Sequence, residues 1–273
     1  MDKENSSFTS GALLRILSWN VNGIRAMEKR GFTDWLSEES PDILCIQETK
    51  AEAGQLSEAL KSPVNKNGVQ YTSFWAGAKK KGYSGVAIYT TKEPLEVKNL
   101  GISDFDDEGR VLQADFGDFI MISAYFPNSQ GEGLRLDYKL AFCGEILTLC
   151  KEHIKNGRHI ILAGDYNIAH KAIDLAHPKA NEGNAGYLPE ERAWMDTWTS
   201  SGFTDSFRYF SPDLAEQYSW WSYRMKAREK NVGWRLDYHC VDNAFLPAVR
   251  KSIIRQDITG SDHCPVEIEI SLP

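Results

Sequence analysis

Apolar residues along this chain fall in short continuous runs that stop abruptly at amides or carboxylates. The plainest run is Ile160-Ile161-Leu162-Ala163, followed at once by Gly164-Asp165-Tyr166-Asn167. A run without polar alternation predicts a strand covered on both faces, although a buried helical segment reads the same way. Comparable runs predict strands over residues 15–23, 42–48, 71–76 and 85–90, with a hairpin of 111–116 and 118–126 around Gly117. Helical spacing marks residues 32–39 (Phe32, Trp35 and Leu36, stopped by Pro41), 56–61 and 189–200, the last burying Trp194 and Trp198. Residues 135–153 form a longer amphipathic helix with Leu136, Leu140, Phe142, Ile146 and Cys150 on its core face. Residues 171–190 are a polar loop. Aromatic, strand-like stretches follow at 203–207, 218–223 and 234–239, and 266–270 alternates as a closing strand. Short strands with helices between them and no low-complexity linker predict a single α/β (α+β) domain over residues 13–273, two packed sheets flanked by helices. Residues 1–12 are expected to be a flexible leader.

The polar strand tips carry the chemistry. On an extended chain, residues two apart point the same way. Asp165 and Asn167 then leave one strand end side by side, although an Asp/Asn turn closing a strand uses the same residues. Asn20 and Asn22 follow Ile16-Leu17 in the same manner, Glu48 ends the run from Ile43, and Asn128 follows Tyr125-Phe126. The match of Asn20 to Asp165 and Asn22 to Asn167 is a faint internal echo and predicts two similar halves. Lys79-Lys80-Lys81-Gly82-Tyr83-Ser84-Gly85 is a basic turn, suited to a solvated loop or to a phosphate backbone. Between residues 218 and 239, Trp220, Trp221, Tyr223 and Trp234 interleave with Arg224, Lys226, Arg228, Lys230 and Arg235. Rings for bases or sugars and cations for phosphates fit nucleic acid; a core strand followed by a solvated loop fits as well.

Composition narrows this only slightly. Lys and Arg number 31 against 38 Asp and Glu, a net charge of −7, which argues against bulk attraction to nucleic acid but leaves room for a local basic strip. The five cysteines have no metal-type spacing and an odd count, as expected of core thiols in a reducing, intracellular compartment. Met1 to Thr9 is polar, so no signal peptide is expected, and no apolar run approaches a membrane span.

Seven short stretches then carry a resemblance. They are residues 19–25 (Trp-Asn-Val-Asn-Gly-Ile-Arg), 47–50 (Gln-Glu-Thr-Lys), 82–86 (Gly-Tyr-Ser-Gly-Val), 125–128 (Tyr-Phe-Pro-Asn), 164–167 (Gly-Asp-Tyr-Asn), 234–238 (Trp-Arg-Leu-Asp-Tyr) and 260–265 (Gly-Ser-Asp-His-Cys-Pro). In this order they resemble the exonuclease III family of apurinic/apyrimidinic (AP) endonucleases, from about residue 14 to the C-terminus. Residues 231–238 resemble the branch that includes the human enzyme. The family belongs to a superfamily with DNase I and the inositol-polyphosphate phosphatases. The resemblance implies a four-layer αββα sandwich of two mixed sheets. It also implies hydrolysis of the phosphodiester 5′ to an abasic site in duplex DNA, giving a 3′-hydroxyl, with 3′-end processing or 3′–5′ exonuclease activity.

The cofactor implied is Mg²⁺, with Mn²⁺ as a substitute; hard oxygen ligands suit it. The metal set expected is Glu48 as a direct ligand, with Asn20, Asp165, Asn167, Asp262 and His263 close by. By the same resemblance, Asp165 would orient or deprotonate the water, and Asn167 would hold the water or a phosphate oxygen. His263 is the expected phosphate partner with Asp237 as its orienter, although His239, two residues from Asp237, stands as an alternative. Tyr125 and Asn128 would donate to the phosphate. Trp220, Trp234 and Leu236 would line a pocket for an extrahelical abasic sugar, and Lys50, Gly82, Tyr83 and Arg224 are the further substrate contacts expected. The expected partner is double-stranded DNA with abasic or 3′-blocked damage, acted on by a monomer without a membrane, in the cytoplasm of a prokaryote or the nucleus of a eukaryote. Two departures stand out. Asn22 replaces an acid of the human-like branch, and Arg224 replaces an apolar residue that enters the DNA groove there. The competing readings are a phosphoinositide or phospholipid phosphatase of the same superfamily and a non-catalytic DNA-binding protein.

Overall fold

The computed structural model describes residue 11 and residues 13–272. The leader expected over residues 1–12 lies outside them except for Gly11, whose N–H donates to the Leu272 carbonyl. In chain order the first strands are β1 (Leu13–Asn20), β2 (Ile43–Gln47), β3 (Thr72–Ala76), β4 (Val86–Thr90), β5 (Glu96–Lys98), β6 (Val111–Asp115) and β7 (Phe119–Tyr125). There follow β8 (His159–Asp165), β9 (Phe203–Asp205), β10 (Trp220–Trp221), β11 (Gly233–Trp234), β12 (Asp237–Asp242), β13 (Val249–Ile254) and β14 (Val266–Ser271). The helices are α1 (Ile24–Glu28), α2 (Phe32–Glu39), α3 (Glu58–Lys61), α4 (Ser103–Asp106), α5 (Leu136–Lys155), α6 (Pro189–Ser200) and α7 (Ser206–Phe210).

Two six-stranded mixed sheets result, ordered β13-β14-β1-β2-β4-β3 and β5-β6-β7-β8-β12-β9. Ile16, Cys45, Ile88 and Ile268 of the first meet Met121, Ile161, Ala163 and Val241 of the second in one core. Leu17, Leu44 and Ile46 pack outward onto Phe32 and Leu36 of α2, and Ile160, Leu162 and Cys240 onto Phe142 and Ile146 of α5 and Trp198 of α6. Helix, sheet, sheet, helix is the four-layer arrangement the resemblance implies. β8 is buried on both faces from Ile160 to Asp165, which explains its unbroken apolar run.

The parallel neighbours β1–β2 and β7–β8 are each joined by a helical crossover, so their C-terminal tips lie at the same end of the molecule. Sheet order pairs the halves differently from the sequence echo. The order β5-β6-β7-β8-β12-β9 corresponds to β13-β14-β1-β2-β4-β3, each with its helical crossover from the third strand to the fourth, which makes β7, not β8, the positional counterpart of β1.

The expected strand over 234–239 is in fact two pieces. Gly233–Trp234 pairs with Trp220–Trp221 in a small ribbon, and β12 begins at Asp237. The break occurs where the Arg235 N–H donates to the Asp174 carbonyl (2.7 Å) and the Leu236 N–H to Ser219 Oγ (2.9 Å), outside any ladder.

Candidate active site

At the shared end of the sheets, each of the two echoing tips closes with the same local bond. Asn22 N donates to Asn20 Oδ1 (2.9 Å), and Asn167 N donates to Asp165 Oδ1 (2.8 Å). Asp165-Tyr166-Asn167 is therefore a turn, and the turn fixes the direction of the Asp165 carboxylate. Asn22, Glu48, Lys50, Ser84 and Asn167 all have φ between +45° and +52°. Asn tolerates this region, whereas Glu, Lys and Ser adopt it at a cost that surrounding structure must offset. Backbone bonds from Gly23 N to Glu48 O, Lys50 N to Ser84 O and Thr49 N to Gly85 O provide that support.

The tips meet around one amide. Asn20 Nδ2 donates to Glu48 Oε1 (2.8 Å) and to Asp165 Oδ2 (2.9 Å), tying the two sheets together. His263 Nδ1 lies 2.8 Å from Asp237 Oδ2, and its Nε2 lies 3.8 Å from Asp165 Oδ2. Asn128 Nδ2 donates to Asn167 Oδ1 (3.0 Å). Asp262 accepts from Asn22 Nδ2 (2.9 Å) and from the Trp220 indole (3.2 Å). Burial pushes the Asp165 carboxyl up; the His263 charge opposes this, and Asp237 and Glu48 add to it. Burial alone would lower His263, but Asp237 and then Asp165 hold it well above the usual imidazole range. Burial also raises Glu48, yet Lys50 and Asn20 keep it below the usual carboxylate range. Tyr125 is held far above its ordinary value by burial, then by Glu48 and Asp165, so it is a neutral donor. His239 lies buried in β12, the strand of Asp237, pushed down to about 3 by burial, with neither ring nitrogen partnered among the described residues. The imidazole on Asp237 is thus His263.

Glu48, Tyr125, Asn128, Asp165, Asn167, Asp262 and His263 line a cavity of about 210 Å³ together with Trp220, Trp234 and Leu236. Asn20 and Asp237 sit just behind that wall. Lys50 stands beside it, 2.7 Å from Glu48, and faces with Gly82, Arg25 and Lys29 a neighbouring groove of about 800 Å³. Tyr83 and Arg224 line neither. Tyr83 is tied to Arg110 and Arg135, and Arg224 is exposed on the loop after Trp221.

Sequence reasoning missed Ala185 and Gly186 in the cavity wall, because an isolated loop residue has no periodic signal. It also missed Lys139, whose ammonium donates to the Asn167 carbonyl (2.6 Å) and to Glu191 (2.7 Å) with both side chains fully buried. Lys139→Met leaves Glu191 buried without its cation and should cost about 3–5 kcal/mol in urea denaturation. A cost under about 1 kcal/mol would show that the pair does not secure this tip.

Glu48, Asp165 and His263 offer ligand atoms within 4.8 Å of one another. The carboxylate oxygens suit a hard divalent cation. Asn20 lies against both carboxylates: its two amide hydrogens go to them and space them, and its oxygen accepts from Asn22 N while keeping a second lone pair.

Two mixed sheets with this acid, amide and imidazole cluster at their shared end define the class. The chain belongs to the endonuclease/exonuclease/phosphatase family, which it matches over residues 17–263. Within that family it is a hydrolase of the exodeoxyribonuclease III type. It is 42% identical over 261 residues to an exodeoxyribonuclease of Bacillus subtilis, covering 95% of this chain and 100% of that one. It is also 42% identical to the DNA repair nuclease APEX1 of Danio rerio, covering 99% of this chain and 86% of that protein. Among solved structures, the AP endonuclease LMAP from Leishmania major matches with a TM-score of 0.84 at 26% identity, covering 100% of this chain and 96% of the other.

Proposed function

We propose that the protein hydrolyses the phosphodiester on the 5′ side of an abasic site in duplex DNA, leaving a 3′-hydroxyl, and also processes blocked 3′ ends. The observation that carries this reading is the Asp165–His263 pair beside Glu48, opening into a small cavity with indoles in its wall. The names of the relatives, an exodeoxyribonuclease, a DNA repair nuclease and an AP endonuclease, support the same reading.

The charged His263 Nε2–H binds a non-bridging phosphate oxygen, while Asp237 fixes the ring and stabilises its charge. The Tyr125 hydroxyl and the Asn128 amide donate to the same group. Asp165, raised toward neutrality by burial, takes a proton from the attacking water, and Asn167 orients that water. Mg²⁺, or Mn²⁺ in its place, held chiefly by Glu48, would neutralise the phosphate and the leaving 3′-oxygen when bound. Trp220, Trp234 and Leu236 offer apolar surface without base-edge partners, which suits a sugar lacking its base. Lys50, Gly82 and the 79–85 turn face the strand backbone, and Arg224 reaches phosphates beyond the cavity. A monomer suffices for this reaction. Five unpaired, buried cysteines fit a reducing intracellular compartment. Among the described residues, no helix is long and apolar enough to cross a membrane.

A duplex with one tetrahydrofuran site should be nicked on its 5′ side in Mg²⁺ and not in EDTA. Inositol phosphates should remain intact. Glu48→Gln should weaken Mn²⁺ binding, read by electron paramagnetic resonance without substrate. A failure to nick at micromolar enzyme, or equal turnover of inositol phosphates, would overturn the assignment.

A further inference from the structure

Arg110 is a cation at 1% exposure that no step above uses. Its Nε donates to Glu108 (2.7 Å), one terminal nitrogen to the Tyr125 carbonyl (2.8 Å), and the other to the Tyr83 hydroxyl (3.2 Å). The Tyr125 N–H returns a bond to the Arg110 carbonyl (2.9 Å). The guanidinium also lies 5.1 Å from the centre of the Tyr125 ring and 5.9 Å from that of Tyr83. Arg110 thus holds Tyr125 by its backbone and by its ring face.

The far side of the cluster reaches the basic turn. Tyr83 accepts from Arg135 as well (2.6 Å), and Arg135 shares Glu108 with Arg110 (2.7 Å). The Lys80 ammonium sits 5.0 Å from the centre of the Tyr83 ring. A continuous path therefore runs from the 79–85 turn through Tyr83 and Arg110 to Tyr125 in the cavity wall. A planar fork that spends each nitrogen on a different partner cannot be reproduced by an ammonium.

We infer that Arg110 is a positioning residue for the hydrolysis proposed above, setting Tyr125 and coupling it through Tyr83 to the turn that faces the DNA backbone. This rests on Tyr125 being a phosphate donor. Arg110 does not touch substrate and acts through the tyrosine.

The test is a double-mutant cycle on the tetrahydrofuran duplex, with kcat and KM measured separately. Arg110→Lys should lower kcat about tenfold with a smaller change in KM, and Tyr83→Phe about threefold. In a Tyr125→Phe background each should add less than about twofold. Full effects persisting in that background, or effects confined to KM, would overturn the inference. Tyr83→Phe removes only a hydroxyl outside the core, so it carries the test if Arg110→Lys does not fold. Fluorine NMR of fluorotyrosine at position 125, without DNA, separates this inference from the function itself. The resonance should move in Tyr83→Phe whether or not the enzyme nicks abasic duplex, and an unmoved resonance counts against coupling.

Discussion

Asp165→Asn is expected to lower kcat on abasic duplex by about 10³- to 10⁴-fold while KM changes little. The carboxylate accepts from Asn20 on one oxygen and from the Asn167 N–H on the other. An amide keeps one acceptor and turns its NH₂ toward the donor of either Asn20 or Asn167. It also removes an anion 3.8 Å from His263 Nε2. Asp237, Asp165 and Asp262 all raise His263, and Glu48 faces it as well. Losing Asp165 therefore lowers the His263 pKa. In the wild type, the raised Asp165 loses its basic form as pH falls, at a higher pH than an ordinary carboxylate would. The raised His263 keeps its proton well above the usual imidazole range. The variant should lose the acid limb of the rate profile and show an alkaline limb displaced to lower pH. Profiles of kcat against pH for both enzymes check this. A variant within tenfold of wild type, or an alkaline limb that stays in place, would refute the assigned pair.

Gly164→Ala should have the largest effect on stability. Gly164 pairs with Ala124 across the parallel β7–β8 ladder, and a Cβ at Gly164 would lie 1.8 Å from the Ala124 carbonyl oxygen. The obstruction is backbone, so no side chain can turn aside. Its φ of +151° adds strain for any other residue. A loss of about 3 kcal/mol or more is expected in urea denaturation, because the central ladder must open to admit one methyl group. Soluble variant should also lose activity, since the next residue is Asp165 and the next ladder pair is Tyr125–Asp165. Wild-type stability in Gly164→Ala would mean that the two strand tips do not converge in this way.

The strands were legible because burial on both faces leaves apolar runs, and the long helix because a one-sided core leaves a helical stripe. β5 and β13 were not: Glu96–Lys98 and Val249–Ile254 are half-exposed edge strands that give the core only single side chains such as Val97 and Val249, so no apolar run marks them. Glu48 and Asp165 could be nominated because each closes an apolar run, although an Asp/Asn turn does so equally well, whereas His263 was nominated through the resemblance alone. Tyr83 and Lys50 could be named as substrate residues, but not placed. The former is bound into the Arg110–Arg135 cluster and the latter pairs with Glu48 beside the cavity.

By itself the sequence determined the packed sheets with their flanking helices and the polar strand tips, because local periodicity and turn chemistry act over a few residues. Only the tertiary structure decided which tips meet. Asn20 reaches Asp165 across 145 residues of chain, and His263 reaches Asp237 rather than being replaced there by His239. It also decided that β1 answers β7 rather than β8. Such pairings follow from sheet order and from the packing of one sheet on another. Neither leaves a period in the sequence, because each joins segments whose local patterns are satisfied independently.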